Sequence, residues 1–91
     1  MRLDKFLKVS RLVKRREVAK QLCDGGDVLI NGKPAKPSVE VVPGDELTLH
    51  LGRHTIVAKA LEIKPYANKD QAGDMYQIIS DEVKERTDGN V

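Results

Sequence analysis

A glycine-flanked segment near residue 30 constrains the fold of this chain more than any other part of its sequence. Gly25-Gly26 precedes the apolar run Val28–Ile30, which leads directly into Asn31-Gly32. Asparagine and glycine both accept positive φ angles, so the pair Asn31-Gly32 predicts a two-residue turn between antiparallel strands. Two glycines before the first strand are typical of a helix that ends in a left-handed residue. The segment therefore predicts the end of a helix followed at once by a β-hairpin.

Two short helices are predicted before this hairpin. The first is expected to begin with Asp4 as its N-cap and to run to about Arg11, with Phe6 and Leu7 facing the core. The second fits residues 15–24, where apolar side chains recur on one helical face. That apolar stripe consists of Val18, Ala19, Leu22 and Cys23. A short connector makes the two helices a compact corner.

The central part of the chain has the pattern of an antiparallel sheet. Leu47, Leu49 and Leu51 alternate with polar residues, as a half-buried strand requires. Residues 55–63 are rich in β-branched side chains and are expected to pair back antiparallel. The predicted fold class is therefore α+β, with two short helices packed on a small, mostly antiparallel β-sheet.

The chain is expected to form one small domain with a C-terminal extension. We place the domain at residues 1–65 and the extension at residues 66–91. Residues 67–80 are expected to hold a short helix that packs back on the domain. Residues 81–91 are polar and acidic and are expected to fray.

Positive charge is concentrated in the N-terminal part of the chain. The first 36 residues hold ten of the sixteen Lys and Arg side chains and four acidic ones, a net charge of +6. Residues 37–91 hold six positive and ten negative side chains, a net charge of −4. A basic helical surface beside an acidic remainder suits a protein that binds nucleic-acid phosphate.

The small number of aromatic residues limits the ways in which this chain could recognise nucleic acid. The chain has no Trp, one Phe and two Tyr. This disfavours recognition of several stacked single-stranded bases, which needs aromatic platforms. Structured RNA that is read through its backbone and shape needs no such rings. A DNA-reading helix-turn-helix is an alternative use of two short helices, but the hairpin that follows favours RNA.

Other classes of function find little support in the sequence. Cys23 is the only cysteine, which agrees with a reducing cytoplasm, and it is expected to be a small core residue. His50 and His54 are spaced like metal ligands but lie on a strand and after a turn, so no metal or other cofactor is expected. No serine has a convincing base and orienting group, so we expect no enzyme. The short apolar runs and the charged N-terminus predict neither a membrane span nor export, and hence a cytoplasmic location.

The combined pattern resembles a known RNA-binding module, the domain named after the fourth small-subunit ribosomal protein, which also occurs in tyrosyl-tRNA synthetases and pseudouridine synthases. The resemblance rests on Arg2-Leu3-Asp4-Lys5-Phe6-Leu7, on Arg15-Arg16 through Ala19 and Leu22, and on the hairpin from Gly26 to Gly32, and it continues through Lys36-Pro37-Ser38 and Gly44-Asp45. Many such domains have a capping Ser at the position of Arg15, and this chain lacks that oxygen.

The length and the Arg-Leu-Asp-Lys start are similar to the RqcP family, short free-standing relatives of the bacterial fifteen-kilodalton heat-shock protein. The resemblance implies a factor that binds large ribosomal subunits obstructed by nascent chain–tRNA and assists C-terminal alanine tailing by stabilising peptidyl-tRNA. The implied partners are large-subunit rRNA, peptidyl-tRNA and an RqcH-type tailing factor, and the chain is expected to be a monomer. The alternative is a general rRNA- or tRNA-binding factor in ribosome assembly or translation control.

In this family the two helices and the hairpin form the RNA-binding face. Arg16 is the strongest candidate, because it opens the second helix and its guanidinium can bind a phosphate beside free helix amides. Arg2 follows, since the family motif begins there. The full set carried over by position is Arg2, Lys5, Arg11, Lys14, Arg15, Arg16 and Lys20.

Overall fold

The computed structural model describes residues 1–83, and within them three helices and one five-stranded sheet. The strands are all antiparallel to their neighbours and lie in the order β2-β1-β3-β4-β5. This confirms the α+β class, with two N-terminal helices and an antiparallel sheet. The elements are α1 (Leu3–Val9), α2 (Arg16–Asp24), β1 (Val28–Ile30), β2 (Lys33–Pro34), β3 (Glu46–Leu51), β4 (His54–Ala60), α3 (Lys69–Ala72) and β5 (Tyr76–Val83).

The core lies between the two N-terminal helices and one face of the sheet. Phe6 and Leu7 of α1 are fully buried, as predicted, and pack in one cluster with Ala19 and Cys23 of α2. Burial of each large apolar side chain stabilises the fold by about 1.5–3 kcal/mol. Val18, the remaining exposed member of the predicted stripe, is 40% accessible and lies at the rim. The strands contribute Val28, Leu47, Leu49 and Ala60 to the same cluster.

The start of α1 differs from the prediction. Arg2, and not Asp4, is the N-cap residue, and its side chain makes no capping hydrogen bond. The first amides are satisfied by tertiary contacts instead: the Leu3 amide donates to the Val39 carbonyl at 2.8 Å, and the Asp4 amide donates to the Pro37 carbonyl at 3.1 Å. A helix start that is held by a distant segment needs no side-chain cap. The Asp4 carboxylate still accepts the next amide of this turn, that of Lys5, at 2.8 Å, and has further lone pairs for other donors.

The hairpin forms as predicted. Asn31 and Gly32 have φ angles of 52° and 85°, and Ile30 pairs with Lys33 across the turn. Asn31 also fastens the hairpin to the start of β3. Its Nδ2 donates to Asp45 Oδ1 at 3.1 Å, and its Oδ1 accepts from the Glu46 amide at 3.0 Å. Asn31 therefore supplies both the turn conformation and two hydrogen bonds to the start of the next strand.

The C-terminal segment is mostly strand and not helix. The short helix expected within residues 67–80 is the single turn α3, and β5 follows it as an edge strand paired with β4. A short apolar run such as Met75–Ile79 does not distinguish a helix from a strand, and pairing with β4 decides the outcome. Of the segment that was expected to fray, residues 81–83 belong to β5, and residues 84–91 lie outside the described residues.

We expect Asn31→Ala to lower the free energy of unfolding by about 1–2 kcal/mol, because alanine disfavours positive φ and removes two side-chain hydrogen bonds. Asn31→Gly is the matched control, since it keeps the turn conformation and removes only the hydrogen bonds. Urea unfolding of both variants measures the two contributions. Equal losses in the two variants would show that the backbone conformation contributes nothing.

Candidate RNA-binding surface

A buried carboxylate joins the N-terminal ends of α1 and α2. Asp4 is only 3% exposed. Its Oδ1 accepts hydrogen bonds from the Lys5 amide at 2.8 Å, from Arg2 Nε at 3.2 Å and from Arg16 Nη2 at 3.3 Å. Its Oδ2 accepts from Arg2 Nη2 at 3.3 Å. We call this cluster of Arg2, Asp4 and Arg16 the arginine bracket.

The arginine bracket keeps Asp4 ionised. Burial by itself raises the pKa of this carboxyl, but the hydrogen bonds from Arg16 and Arg2 and the charge of Arg16 outweigh burial, so the pKa lies below its ordinary value. The side chains of Arg2 and Arg16 are 52% and 48% exposed. Each guanidinium carries five N–H donors and uses one or two of them on Asp4. The remaining donors are available to a phosphate at fixed positions on the surface.

The start of α2 is open to an anion. Arg15 is the N-cap residue in an extended conformation, and no side chain caps the helix there. This agrees with the missing capping oxygen noted in the sequence. The first amides of a helix without a cap can bind a phosphate oxygen, and the positive end of the helix dipole favours it. Arg16, the first residue of α2, lies beside those amides.

The connector between the helices holds Arg11 in a left-handed conformation. Its φ is 66°, and its amide donates to the Lys8 carbonyl at 3.0 Å, which closes the end of α1. Ser10 is buried, and its hydroxyl donates to the Leu7 carbonyl at 3.3 Å. Glycine is the usual residue at this position after a helix, and a residue with a side chain is disfavoured there by roughly 1–2 kcal/mol. We infer that the side chain of Arg11, and not its backbone, accounts for its presence.

Three cations meet at this corner. Lys8, Arg11 and Lys14 line a cleft of about 280 Å³ together with Val13. Lys8 was not among the predicted site residues, although it lies one turn after Lys5 on the basic face of α1. That helical spacing was the signal that could have identified it. The corner adds a second concentration of positive charge to the arginine bracket.

The structure thus places most of the predicted site residues in two groups. Arg2 and Arg16 share Asp4, and Arg11 and Lys14 share a cleft. Lys5 lies with its ammonium 5.6 Å from the centroid of the Tyr66 ring. Two further predicted residues, Arg15 and Lys20, are exposed. Arg15 lines a separate, mostly apolar cleft with Lys14, whereas Lys20 makes no side-chain hydrogen bond or ion pair with either group within residues 1–83. In that part of the chain no ion pair is formed by Lys5, Lys8, Arg11, Lys14, Arg15 or Lys20.

The remaining candidate groups are structural. His54 Nδ1 lies 2.9 Å from Asp81 Oδ1, whereas His50 Nδ1 lies 3.3 Å from Thr55 Oγ1. Among residues 1–83, no cluster of three or more His, Cys, Asp or Glu side chains is arranged to hold a metal ion. Burial, with the nearby carboxylates, raises the pKa of the Cys23 thiol to about 11, so this side chain is a core residue, as expected.

No helix within the described part of the chain is both long and apolar enough to cross a membrane.

The N-terminal half of the chain belongs to a known class of domain. Residues 1–47 match the S4 domain, so α1, α2 and the hairpin form an RNA-binding S4 domain. The RQC P-site tRNA stabilizing factor of Bacillus subtilis (strain 168) is 50% identical over 82 residues, which cover 90% of this chain and 95% of that protein. The protein of the same name from Listeria monocytogenes is 49% identical over 88 residues, covering 97% and 92%. The chain belongs to the family of RQC P-site tRNA stabilizing factors.

A solved structure supports the same relationship. Heat shock protein 15 of Vibrio cholerae, which was determined as a trimer, superposes with a TM-score of 0.82 at 32% sequence identity. The superposition covers 88% of this chain and 82% of that one. The family is therefore related to heat shock protein 15, and the fold extends over most of the described residues.

We expect Asp4→Asn to lower the free energy of unfolding by about 1–2 kcal/mol near pH 7, because the two arginines lose a charged acceptor. The pKa of Asp4 is lower in the folded than in the unfolded chain. Its contribution is thus complete above the unfolded value of about 4 and is lost as pH falls through the folded value. Urea unfolding at a series of pH values tests this. A difference between the two proteins that stays constant down to the lowest pH would contradict it.

Arg11→Gly is expected to separate stability from binding. Glycine relieves the left-handed strain, so the free energy of unfolding should rise by about 0.5–1 kcal/mol despite the more flexible unfolded chain. Binding to ribosomal RNA should weaken, and the slope of log affinity against log salt should fall by roughly one. Arg11→Lys keeps the charge and the strain and serves as the control. A less stable glycine variant would contradict our explanation of this residue.

Proposed function

We propose that this chain is a non-enzymatic RNA-binding factor of ribosome-associated quality control. It binds large ribosomal subunits that still carry a nascent chain on tRNA, stabilises that peptidyl-tRNA, and so assists the addition of a C-terminal alanine tail. The observation that carries the proposal is the arginine bracket, in which one buried carboxylate presents arginines from two helices on a basic surface. The family membership and the names of the relatives support it.

The geometry supports binding by position and charge. Arg16 offers a planar set of donors beside the open start of α2, and Arg2 offers a second set across Asp4. Because both are held by one buried group, the two phosphate contacts keep a fixed spacing, and a fixed spacing selects the shape of the RNA. The corner of Lys8, Arg11 and Lys14 lies at the other end of α1. Two separate basic groups suit a protein that lies between two RNA molecules, here large-subunit rRNA and peptidyl-tRNA.

The absence of a catalytic role is part of the proposal. The carboxylate of Asp4 is buried and already accepts four hydrogen bonds. The thiol of Cys23 is buried with a raised pKa. Neither group is suited to attack a substrate or to move a proton. These observations support a factor that holds its RNA in place without altering it.

The more specific assignments of partner, copy number and location are based on membership of the family. We propose that an RqcH-type tailing factor, which brings alanyl-tRNA, acts on the same ribosomal particle. We further propose one monomeric copy per particle, located in the cytoplasm with the ribosomes. The like charge of the basic surface supports a monomer, because copies that met through this surface would repel one another.

The test is binding to large subunits purified with peptidyl-tRNA in the P site, compared with empty large subunits. We expect the wild-type chain to sediment with the loaded particles, one copy each, and Arg16→Ala to bind at least about tenfold more weakly, a loss of roughly 1.4 kcal/mol. Arg16→Lys should recover only part of the affinity, because lysine lacks the planar fork.

Lys59→Ala is the matched control for the lost charge. Lys59 is exposed on β4 between two buried alanines, Ala58 and Ala60, so it points to the face of the sheet away from the helices. Its variant should bind within about twofold of the wild type if rim charges remote from the interface matter little. Equal binding to empty and loaded particles, or equal losses in the Arg16 and Lys59 variants, would overturn the proposal and favour a general rRNA- or tRNA-binding factor.

A further inference from the structure

Tyr66 has an exposure that the fold does not explain. Tyr66 is 83% exposed, which is the largest exposure among the large apolar and aromatic residues of the described chain. An aromatic ring stabilises a fold through the area that it buries, and this ring buries little. A single exposed apolar residue is common on protein surfaces, so a binding role for Tyr66 depends on what surrounds its ring.

The surroundings of Tyr66 are basic. The ammonium of Lys5 lies 5.6 Å from the ring centroid. Tyr66 also lines a cleft of about 190 Å³ with Lys8, Arg11 and Pro65. The other lining residues of this cleft, Val9 and Ala67, are apolar, so its described lining contains no acidic side chain. The cleft combines a flat aromatic surface with two cations, and a third cation lies over the ring.

We propose that this cleft is a subsite for a single unpaired nucleotide, in which the base stacks on the Tyr66 ring and the phosphate is held by Lys8 and Arg11. Stacking uses the π-face that every base has, and the two cations neutralise the charge that accompanies it. The proposal rests on the proposed RNA-binding function and deepens it, because it names the form of RNA that the surface recognises.

The backbone on both sides of the cleft is restricted. Pro65 has a fixed φ immediately before the tyrosine, and Arg11 is held in its left-handed conformation by the hydrogen bond to Lys8. Restricted residues lose less conformational freedom when a ligand binds. The restricted backbone of Arg11 thus adds to the contribution that its side chain makes as a cation of the cleft.

RNA with an unpaired base fits this cleft better than duplex RNA does. Bases in a duplex present their faces only to neighbouring bases, whereas a base in a loop or bulge exposes a face for stacking. The arginine bracket binds phosphates and does not distinguish paired from unpaired RNA. Tyr66 would supply that distinction through one base, which also agrees with the small number of aromatic residues in the chain.

The experiment measures the affinity of wild type, Tyr66→Phe and Tyr66→Leu for large subunits that carry peptidyl-tRNA, at several salt concentrations. We expect Tyr66→Leu to bind roughly tenfold more weakly at every salt concentration, since stacking on one base contributes about that factor and releases no counterions. Tyr66→Phe should bind within about twofold of the wild type, because it keeps the ring. Lys8→Ala should instead lower the salt slope by roughly one.

A double variant separates stacking from an indirect effect through Lys5. If Tyr66 serves only to position that ammonium, Tyr66→Leu has no effect in a Lys5→Ala background, and the proposal is wrong. If the ring stacks on a base, the loss of roughly tenfold persists in that background.

The outcomes also distinguish this proposal from the function on which it rests. Binding that is lost in Arg16→Ala but unchanged in Tyr66→Leu leaves the proposed function standing and overturns the nucleotide subsite. A wild-type chain that does not bind the loaded particles overturns both. A loss in Tyr66→Phe equal to that in Tyr66→Leu would show that the hydroxyl, and not the stacking face, makes the contact.

Discussion

The ion pairs between Asp4 and the two arginines connect the folding of the N-terminal helices to their proposed use. A carboxylate that is 3% exposed is stable as an ion only because Arg2, Arg16 and a backbone amide surround it. Both arginines are thereby oriented while half of each side chain remains in solvent. We therefore expect a change at Asp4 to act on stability and on the proposed RNA contacts together. Freely rotating surface arginines would lack this fixed spacing and would lose more conformational entropy on binding.

The rest of the fold keeps this cluster rigid. The segment that includes Pro37 and Val39 holds the start of α1 through backbone hydrogen bonds. The side chain of Asn31 separately holds the hairpin against the start of β3. The helices then pack their apolar sides onto the sheet and leave their basic sides outward. The strained backbone of Arg11 is tolerated because the preceding residue, Ser10, is buried and hydrogen-bonded to the Leu7 carbonyl, which fixes the conformation of the connector. The proposed binding surface thus lies on two short helices that the larger sheet supports.

Local patterns in the sequence predicted the helices, the hairpin and the alternating strand β3, because each depends on residues close together in the chain. The role of Asp4 could not be predicted in this way, since a distant segment satisfies the amides that an N-cap would otherwise serve. The strand β5 was missed because its apolar run fits either element until β4 offers a partner. The composition likewise shows that aromatic residues are few, but not that Tyr66 lies beside Lys5 and Arg11. Sequence resemblance suggested most of the cations of the proposed site but not Lys8, and the structure shows which of these side chains share contacts.

The role of the arginine bracket is best tested by electron cryomicroscopy of the chain bound to a large ribosomal subunit with peptidyl-tRNA in the P site. We expect α1 and α2 to face the RNA, with the guanidinium groups of Arg2 and Arg16 within hydrogen-bonding distance of phosphates. We also expect Lys59 and the outer face of the sheet to point away from that interface. A complex in which the sheet or its β5 edge contacts the RNA while the arginine bracket faces solvent would contradict the proposed role of the bracket.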